Sequence, residues 1–329
     1  MQAKHLLTIE GLGANEIEDL LRLGLRLKSL RGKPRHPAPL RGQTWALIFG
    51  KSSTRTRVSF EVAIRELGGS SLFLGMHDIQ LGRGETVEDT ARVLSRYLHG
   101  VVIRTYAQND VETIARLGSM PVINALTDEE HPCQILADLM TWAEKLLPGA
   151  GKKAPKHVCD LFRGKTVAFF GDAACNVAQS WLFAAAKLRF RLRLAAPKNF
   201  QPSARTLART GNAQITRHED PLAAAEGADL LYTDTWVSMG KEEEGKQRVK
   251  DLAPYQINTR IVRAAKPYAL VMHCLPAYRG QEISADIFEA HAPVIFDEAE
   301  NRLHMHKAIL SRSAHPAKGL FTQRSGRVC

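Results

Sequence analysis

No apolar run in the 329-residue sequence approaches the roughly 18 residues needed to cross a bilayer, and every long one is broken by charge. The opening "MQAKHLLTIEGLGANEIEDLL" lacks the basic region, apolar block and cleavage site of a secretory signal, and Glu10 and Glu16 argue against an Arg-rich transit peptide. The expectation is a chain that starts near Met1 and works in the cytoplasm, away from membranes. The five cysteines (Cys133, Cys159, Cys175, Cys274 and Cys329) are odd in number and show no CxxC spacing. In a chain of this size that argues for free thiols in a reducing compartment and against zinc or disulfides. Aromatics are scarce at 7%, and they do not interleave with the basic stretches "RGKPRHPAPLRG" and "KLRFRLR". A net charge of +11 spread in this way argues against nucleic acid and suits an enzyme that draws in anionic substrates.

Two nucleotide loops are also missing. "LIFGKSSTRTRVSFE" carries Gly50-Lys51-Ser52, the tail of a P-loop, but the glycine that should stand five residues earlier is Trp45. Ala46 to Phe49 read as strand, so no glycine-rich backbone can wrap phosphate there. "GDAACN" after "VAFF" lacks G-x-G-x-x-G, which sets aside a dinucleotide. "GLGANE" has no strand before it and reads as a turn leading into a helix.

What is present is an alternation of short apolar runs and helical patterns, the mark of α/β folds with parallel sheets. Candidate strands in the first half are "TWALIF", "SSLFLG", "GVVIRTY" and "MPVIN". Between them "TRTRVSFEVAIRELGG" predicts a helix with Phe60, Ile64 and Leu67 on one face and Gly68-Gly69 as its stop. "HPCQILADLMTWAEKLL" predicts another, with Pro132 in its first turn and an apolar stripe of Ile135, Leu139, Ala143 and Leu146. "LPGAGKKAPKH" reads as a linker. The alternation then restarts with strand "KTVAFFG", helix "NVAQSWLFAAAKL" and strands "RLRLAAP", "AQITRH", "DLLYTD", "ALVMHCLP" and "PVIF". The expected class is α/β, two doubly wound parallel-sheet domains joined by interdomain helices, 1–147 and 148–302. The closing pattern "ENRLHMHKAILSRSA" returns to the first domain over 303–329, ending in a loose tail.

Functional residues are expected where strands end and helices begin. "SSTRTR" offers hydroxyls and free N–H groups at the positive end of a helix, and Arg55 and Arg57 add planar forks suited to phosphate. The plainer alternative is a Ser/Thr N-cap with solvated arginines. In "HPCQ", His131 and Gln134 stand three apart at a helix start and together would offer donors to a carbonyl oxygen, although a histidine there is more often a capping residue. Asp234 follows a strand in "DTWVSMG", ahead of a glycine hinge and the charged run "GKEEEGKQR", which suggests a lid. Cys274 ends a strand in "MHCLPA" with no partner at a nucleophile's spacing, and a buried structural cysteine is the commoner case.

In order and spacing, "FGKSSTRTRVSFE", "DTARVLSR", "NALTDEEHPCQILADL", "YTDTWVSMG", "HCLPA" and "FDEAENR" closely resemble the ornithine carbamoyltransferases, from about Leu6 to Leu310. The resemblance implies the carbamoyltransferase fold and transfer of a carbamoyl group from carbamoyl phosphate to the δ-amine of L-ornithine, with no cofactor and no metal. Ser53, Thr54, Arg55 and Thr56 would bind the phosphate, with Arg57 pairing structurally with a carboxylate. Arg104, His131 and Gln134 would bind the carbamoyl group, and Arg302 would complete the pocket. Gln80, in "HDIQLG", resembles the residue that reaches into a neighbouring subunit's site, which implies a homotrimer. Asn176, Asp234, Ser238 and Met239 would grip the α-amino and α-carboxylate ends of ornithine. Cys274 and Leu275 would lie near the δ-amine, Cys274 orienting rather than attacking. An acceptor without a carboxylate, such as putrescine, would not need the "SMG" grip, and a binding protein built on this scaffold would not need Asp234, Ser238 and Cys274 together.

Overall fold

The structure, a computed structural model, describes residues 5–75, 85–147, 155–211, 213–237 and 245–314. In the first half the strands are β1 (Thr44–Phe49), β2 (Ser70–Gly75), β3 (Gly100–Arg104) and β4 (Val122–Leu126). The helices are α1 (Ala14–Ser29), α2 (Thr54–Glu66), α3 (Val87–Tyr97), α4 (Gln108–Leu117) and α5 (Pro132–Leu146). The second half contains β5 (Thr166–Phe170), β6 (Arg191–Ala195), β7 (Ile215–His218), β8 (Leu230–Thr233) and β9 (Leu270–His273). Its helices are α6 (Asn176–Leu188), α7 (Ala204–Ala208), α8 (Pro221–Ala225), α9 (Gly245–Leu252), α10 (Thr259–Ala264) and α11 (Ala285–Ala314).

Both sheets are parallel, in the orders β2-β1-β3-β4 and β7-β6-β5-β8-β9. The continuous apolar runs explain this, because a parallel sheet covered by helices on both faces needs no polar side. β3 and β5 are buried at every position. In each sheet the strand order reverses beside the first strand of its half, between β1 and β3 and between β5 and β8. The chain ends leaving those strands diverge there and open a crevice at the carboxyl edge.

α5 lies between the halves and is buried on all sides except its last turn, so the apolar stripe predicted for it understates its surroundings. It packs against α1, α6 and α11. The expectation of a strand at "PVIF" is wrong: Pro293 to Phe296 lie inside α11, a 30-residue helix. A four-residue apolar run does not separate strand from buried helix. Burial of Phe288, Ile295, Glu298 and Arg302 follows a helical period that the short run concealed. α11 packs on β9 of the second half and on α1, α2 and α5 of the first, which makes it the element crossing back between them. Most of the linker predicted at "LPGAGKKAPKH" and the tail after Ala314 lie outside the described residues.

Candidate active site

Gly50, just past β1, donates its N–H to the Arg104 carbonyl at 2.7 Å, which closes the β1/β3 edge. Ser53 caps α2: its Oγ accepts from Thr56 N–H at 3.3 Å and donates to Thr56 Oγ1 at 2.9 Å. Thr54, Arg55 and Thr56 form the first turn, at the positive end of the helix. Arg57 points elsewhere. It pairs with Glu61 at 2.8 Å and lies 3.6 Å over the Phe73 ring, the structural pairing that the resemblance implied. Lys51 is taken up by Asp128 and stands 4.1 Å over the Tyr106 ring.

Arg302, on α11, donates to Thr56 Oγ1 at 2.7 Å. Arg104, at the end of β3, is buried. Burial, then the neighbouring Arg302 and Arg55, brings its guanidinium down to about 10, against an opposing pull from Asp234. Among the described residues no carboxylate ion-pairs with Arg55, Arg104 or Arg302, and the Nε atoms of Arg104 and Arg302 lack hydrogen-bond partners. Three convergent cations left unneutralised, two of them buried, constitute an anion site.

His131 sits at the N-cap of α5 and hands its backbone N–H to Ser180 Oγ at 2.9 Å, across to the second half. Burial, with Arg302 and Arg104 next, holds its imidazole well below the usual histidine range, so the ring is neutral. Nδ1 has no partner. The Gln134 amide nitrogen donates to Asp138 at 2.7 Å, while its Oε1 has no partner among the described residues. The expectation that Gln134 supplies a donor is therefore corrected. With its N–H₂ turned inward, it offers an acceptor.

From the second half, Asp234 follows β8 and Cys274 follows β9. Cys274 Sγ donates to Asp234 Oδ1 at 2.9 Å, and Thr235 N–H donates to the same oxygen at 2.7 Å. Burial raises Asp234, and burial and then Asp234 push the Cys274 thiol well above its ordinary range. A thiol held protonated in this way is a donor, not a nucleophile. Leu275 has φ +57°, a left-handed conformation costly for a branched side chain. Its N–H donates to His273 Nδ1 at 2.9 Å. Asn176 opens α6 and donates from Nδ2 to the Thr127 carbonyl at 2.6 Å, joining the two halves.

Two ties were not read from the sequence. Arg248 of α9 binds Asp172 at 2.5 Å and the Trp236 carbonyl at 2.9 Å, pinning the segments after β5 and β8 together. At Gly171 (φ +111°) an added Cβ would stand 2.8 Å from Trp236 Nε1, so that close approach requires glycine. The second tie is a buried group of Asp138, Tyr232 and Glu298 behind Gln134. Its only sequence signal was Asp138 four residues after Gln134 on an otherwise apolar helix. Gln80, Ser238 and Met239 lie outside the described residues, as does most of the charged run expected to form a lid.

Residues 4–144 match the family model described as aspartate/ornithine carbamoyltransferase, carbamoyl-P binding domain, and residues 163–312 the Asp/Orn binding domain of the same family. The chain is 51% identical over 315 residues to an ornithine carbamoyltransferase of Akkermansia muciniphila, covering 96% of this chain and 99% of that protein. With that of Hydrogenovibrio crunogenus it is 44% identical over 310 residues, 94% of this chain and 98% of the other. Among solved structures, the ornithine carbamoyltransferase of Pyrococcus furiosus superposes with a TM-score of 0.82 at 41% identity, over 94% of this chain and 96% of that one. The anabolic enzyme of Campylobacter jejuni gives 0.84 at 40%, over 93% and 97%. The chain belongs to the aspartate/ornithine carbamoyltransferase family.

Proposed function

We propose that this chain transfers the carbamoyl group of carbamoyl phosphate to the δ-amine of L-ornithine, giving citrulline and phosphate in arginine metabolism. The observation that carries the reading is the unneutralised trio Arg55, Arg104 and Arg302 around a neutral His131, faced by the Asp234–Cys274 pair from the other half. Ser53, Thr54, Arg55 and Thr56 take the phosphate, helped by the start of α2, and Arg302 closes that pocket. Arg104 and His131 donate to the carbamoyl oxygen. Gln134 Oε1 accepts from the carbamoyl N–H₂, so donor and acceptor ends of the group are told apart.

Asp234 takes the α-ammonium of ornithine, with Asn176, Ser238 and Met239 completing the grip. Cys274 and Leu275 flank the δ-amine. That amine has a pKa near 10.4, so only about one molecule in 2,500 is neutral at pH 7. The arginines nearby favour the neutral form through like-charge repulsion. Its lone pair attacks the carbamoyl carbon, and the charge that develops on oxygen falls between Arg104 and His131. The bond to the phosphate oxygen then breaks and phosphate leaves with the amine's proton. No covalent bond to the protein is required.

In the same reading, residues 1–147 with the returning 303–329 hold carbamoyl phosphate and 148–302 hold ornithine. Gln80 reaches a neighbour's site in a cytoplasmic homotrimer. The experiment is citrulline formation from carbamoyl phosphate with ornithine, beside aspartate, putrescine and N-acetylornithine. Turnover with ornithine alone is expected. Turnover with another amine instead overturns the acceptor, and none with any amine overturns the reaction.

A further inference from the structure

Behind Gln134, two carboxyls are buried side by side at the junction of the halves. Asp138 (α5) and Glu298 (α11) are both fully buried and share two neighbours, the Tyr232 hydroxyl and the Gln134 amide nitrogen. Asp138 Oδ1 accepts from Gln134 Nε2 at 2.7 Å and Oδ2 accepts from the Tyr232 hydroxyl at 2.8 Å. Glu298 Oε2 accepts from His273 N–H at 2.9 Å. Its Oε1 stands 3.3 Å from the Tyr232 oxygen and 3.4 Å from Gln134 Nε2. No cation hydrogen-bonds to either carboxyl among the described residues, and Arg302 acts on Asp138 only through space.

Two buried carboxyls gathered around the same two donors, with no cation bonded to either, cannot both ionise, so the pair keeps a proton. The bond lengths say which one carries it. Asp138 has a short donor on each oxygen, as an ionised acceptor should, while Glu298 Oε1 has only long ones. We infer that the Asp138–Glu298 pair holds a single proton on Glu298 Oε1, donated to Asp138, and that ionised Asp138 is the positioning residue for Gln134, keeping its N–H₂ inward and its Oε1 in the site. Burial raises both carboxyls above the ordinary carboxylate range, as a pair that keeps a proton requires. The pair also joins α5 of the first half to β8 and β9 of the second, so the orientation of Gln134 is set by contacts from both.

The inference rests on the reading that Gln134 accepts from the carbamoyl N–H₂. In Asp138→Asn a single amide oxygen is left for the donors of Gln134, Tyr232 and Glu298, and an N–H₂ replaces the other oxygen, so the Gln134 N–H₂ is no longer held inward nor its Oε1 fixed in the site. Inorganic phosphate reaches only the clamp at α2, so its binding is indifferent to that loss. The test is titration of the full chain with carbamoyl phosphate and with inorganic phosphate. The unaltered protein is expected to prefer carbamoyl phosphate. D138N is expected to lose at least tenfold of that preference while binding phosphate within twofold of the parent. Glu298→Gln, which keeps a neutral donor in place, is expected to retain the preference within threefold. Equal weakening of both ligands in D138N would make Asp138 merely structural and overturn the inference. So would loss in E298Q as large as in D138N. Absence of any preference in the unaltered protein would instead overturn the reading of Gln134, and the inference with it. Should D138N not fold, Tyr232→Phe decides: removing one donor to Asp138 is expected to cut the preference about threefold, and an unchanged preference overturns the inference.

Discussion

The two halves present the same architecture at their switch points and opposite chemistry. Among the described residues, the first ends its strands in cations with no ion-paired carboxylate, Arg104 at β3 and Arg55 beyond β1, joined by Arg302 from α11. The second ends its strands in groups satisfied from within: Asp234 by Cys274 and Thr235, and Asp172 by Arg248. An unpaired buried cation costs stability until an anion arrives, whereas a closed network costs little whether or not its ligand is present. The anion half is therefore strained towards its ligand and the amino-acid half is at rest. Perturbing each should give opposite balances of stability and activity.

Arg104→Met tests the first half hardest. Citrulline formation should fall by about 10³-fold or more, the scale of a lost oxyanion donor. Without ligand the folded protein should be at least as stable as the parent, and more so by about 1–2 kcal/mol, because a buried uncompensated charge has been removed. Thermal unfolding with and without carbamoyl phosphate checks both: the parent gains strongly on binding and the variant little. A variant less stable without ligand would remove the contrast. Asp234→Asn is the counterpart. Losing a charge-assisted bond to the α-ammonium should raise the ornithine KM about 100-fold. Carbamoyl phosphate binding should stay within about twofold, because Asp234 acts on Arg104 only through space and as the weakest of the influences upon it. Weakening of both substrates would mean that the halves share Asp234.

Much of this division was legible in the sequence. Thr44–Phe49, Ser70–Gly75 and Asn176–Leu188 fall where apolar runs, turn signals and helical period placed them, because those signals are local. Arg104, His131, Gln134, Asp234 and Cys274 stand at element ends, where a doubly wound fold must put its functional groups. What stayed hidden depends on partners far along the chain. The acceptor role of Gln134 follows from Asp138, and the proton on that carboxyl pair from Glu298, which is 160 residues beyond Asp138 and inside α11, just after the run "PVIF" whose residues alone read as a strand. Arg248 ends a charged run in the sequence, and its partner Asp172 stands 76 residues earlier in the chain.

Glu130 sharpens the comparison at the seam. It is buried, accepts from Ile9 N–H at 2.9 Å and Ser180 Oγ at 3.1 Å, and among the described residues leaves Oε1 without a partner. Burial raises it to about 7 from an ordinary 4.5. Between those values the folded state keeps a proton that the unfolded chain has released, so stability falls as pH rises through this window and is level above it. The loss is at most about 3 kcal/mol. Glu130→Gln should remove most of that slope, read from urea unfolding at pH 5 and pH 7.5. An equally steep slope in the variant would mean that the seam carboxyl is ionised throughout, and the seam would then resemble the strained half rather than the resting one.

Cys274→Ser should give the smallest effect. The hydroxyl still donates to Asp234, on a bond shorter than sulfur makes, so turnover should fall about tenfold or less, near the value of one hydrogen bond. Loss of a true nucleophile costs on the order of 10⁶. The two roles are thus separated by several decades in a single assay of citrulline formation. Because Cys274 joins the end of β9 to the end of β8, the fall should appear in ornithine KM as well as in kcat. A rise in ornithine KM with kcat unchanged would place the thiol in the grip on the rest of ornithine and away from the reacting amine.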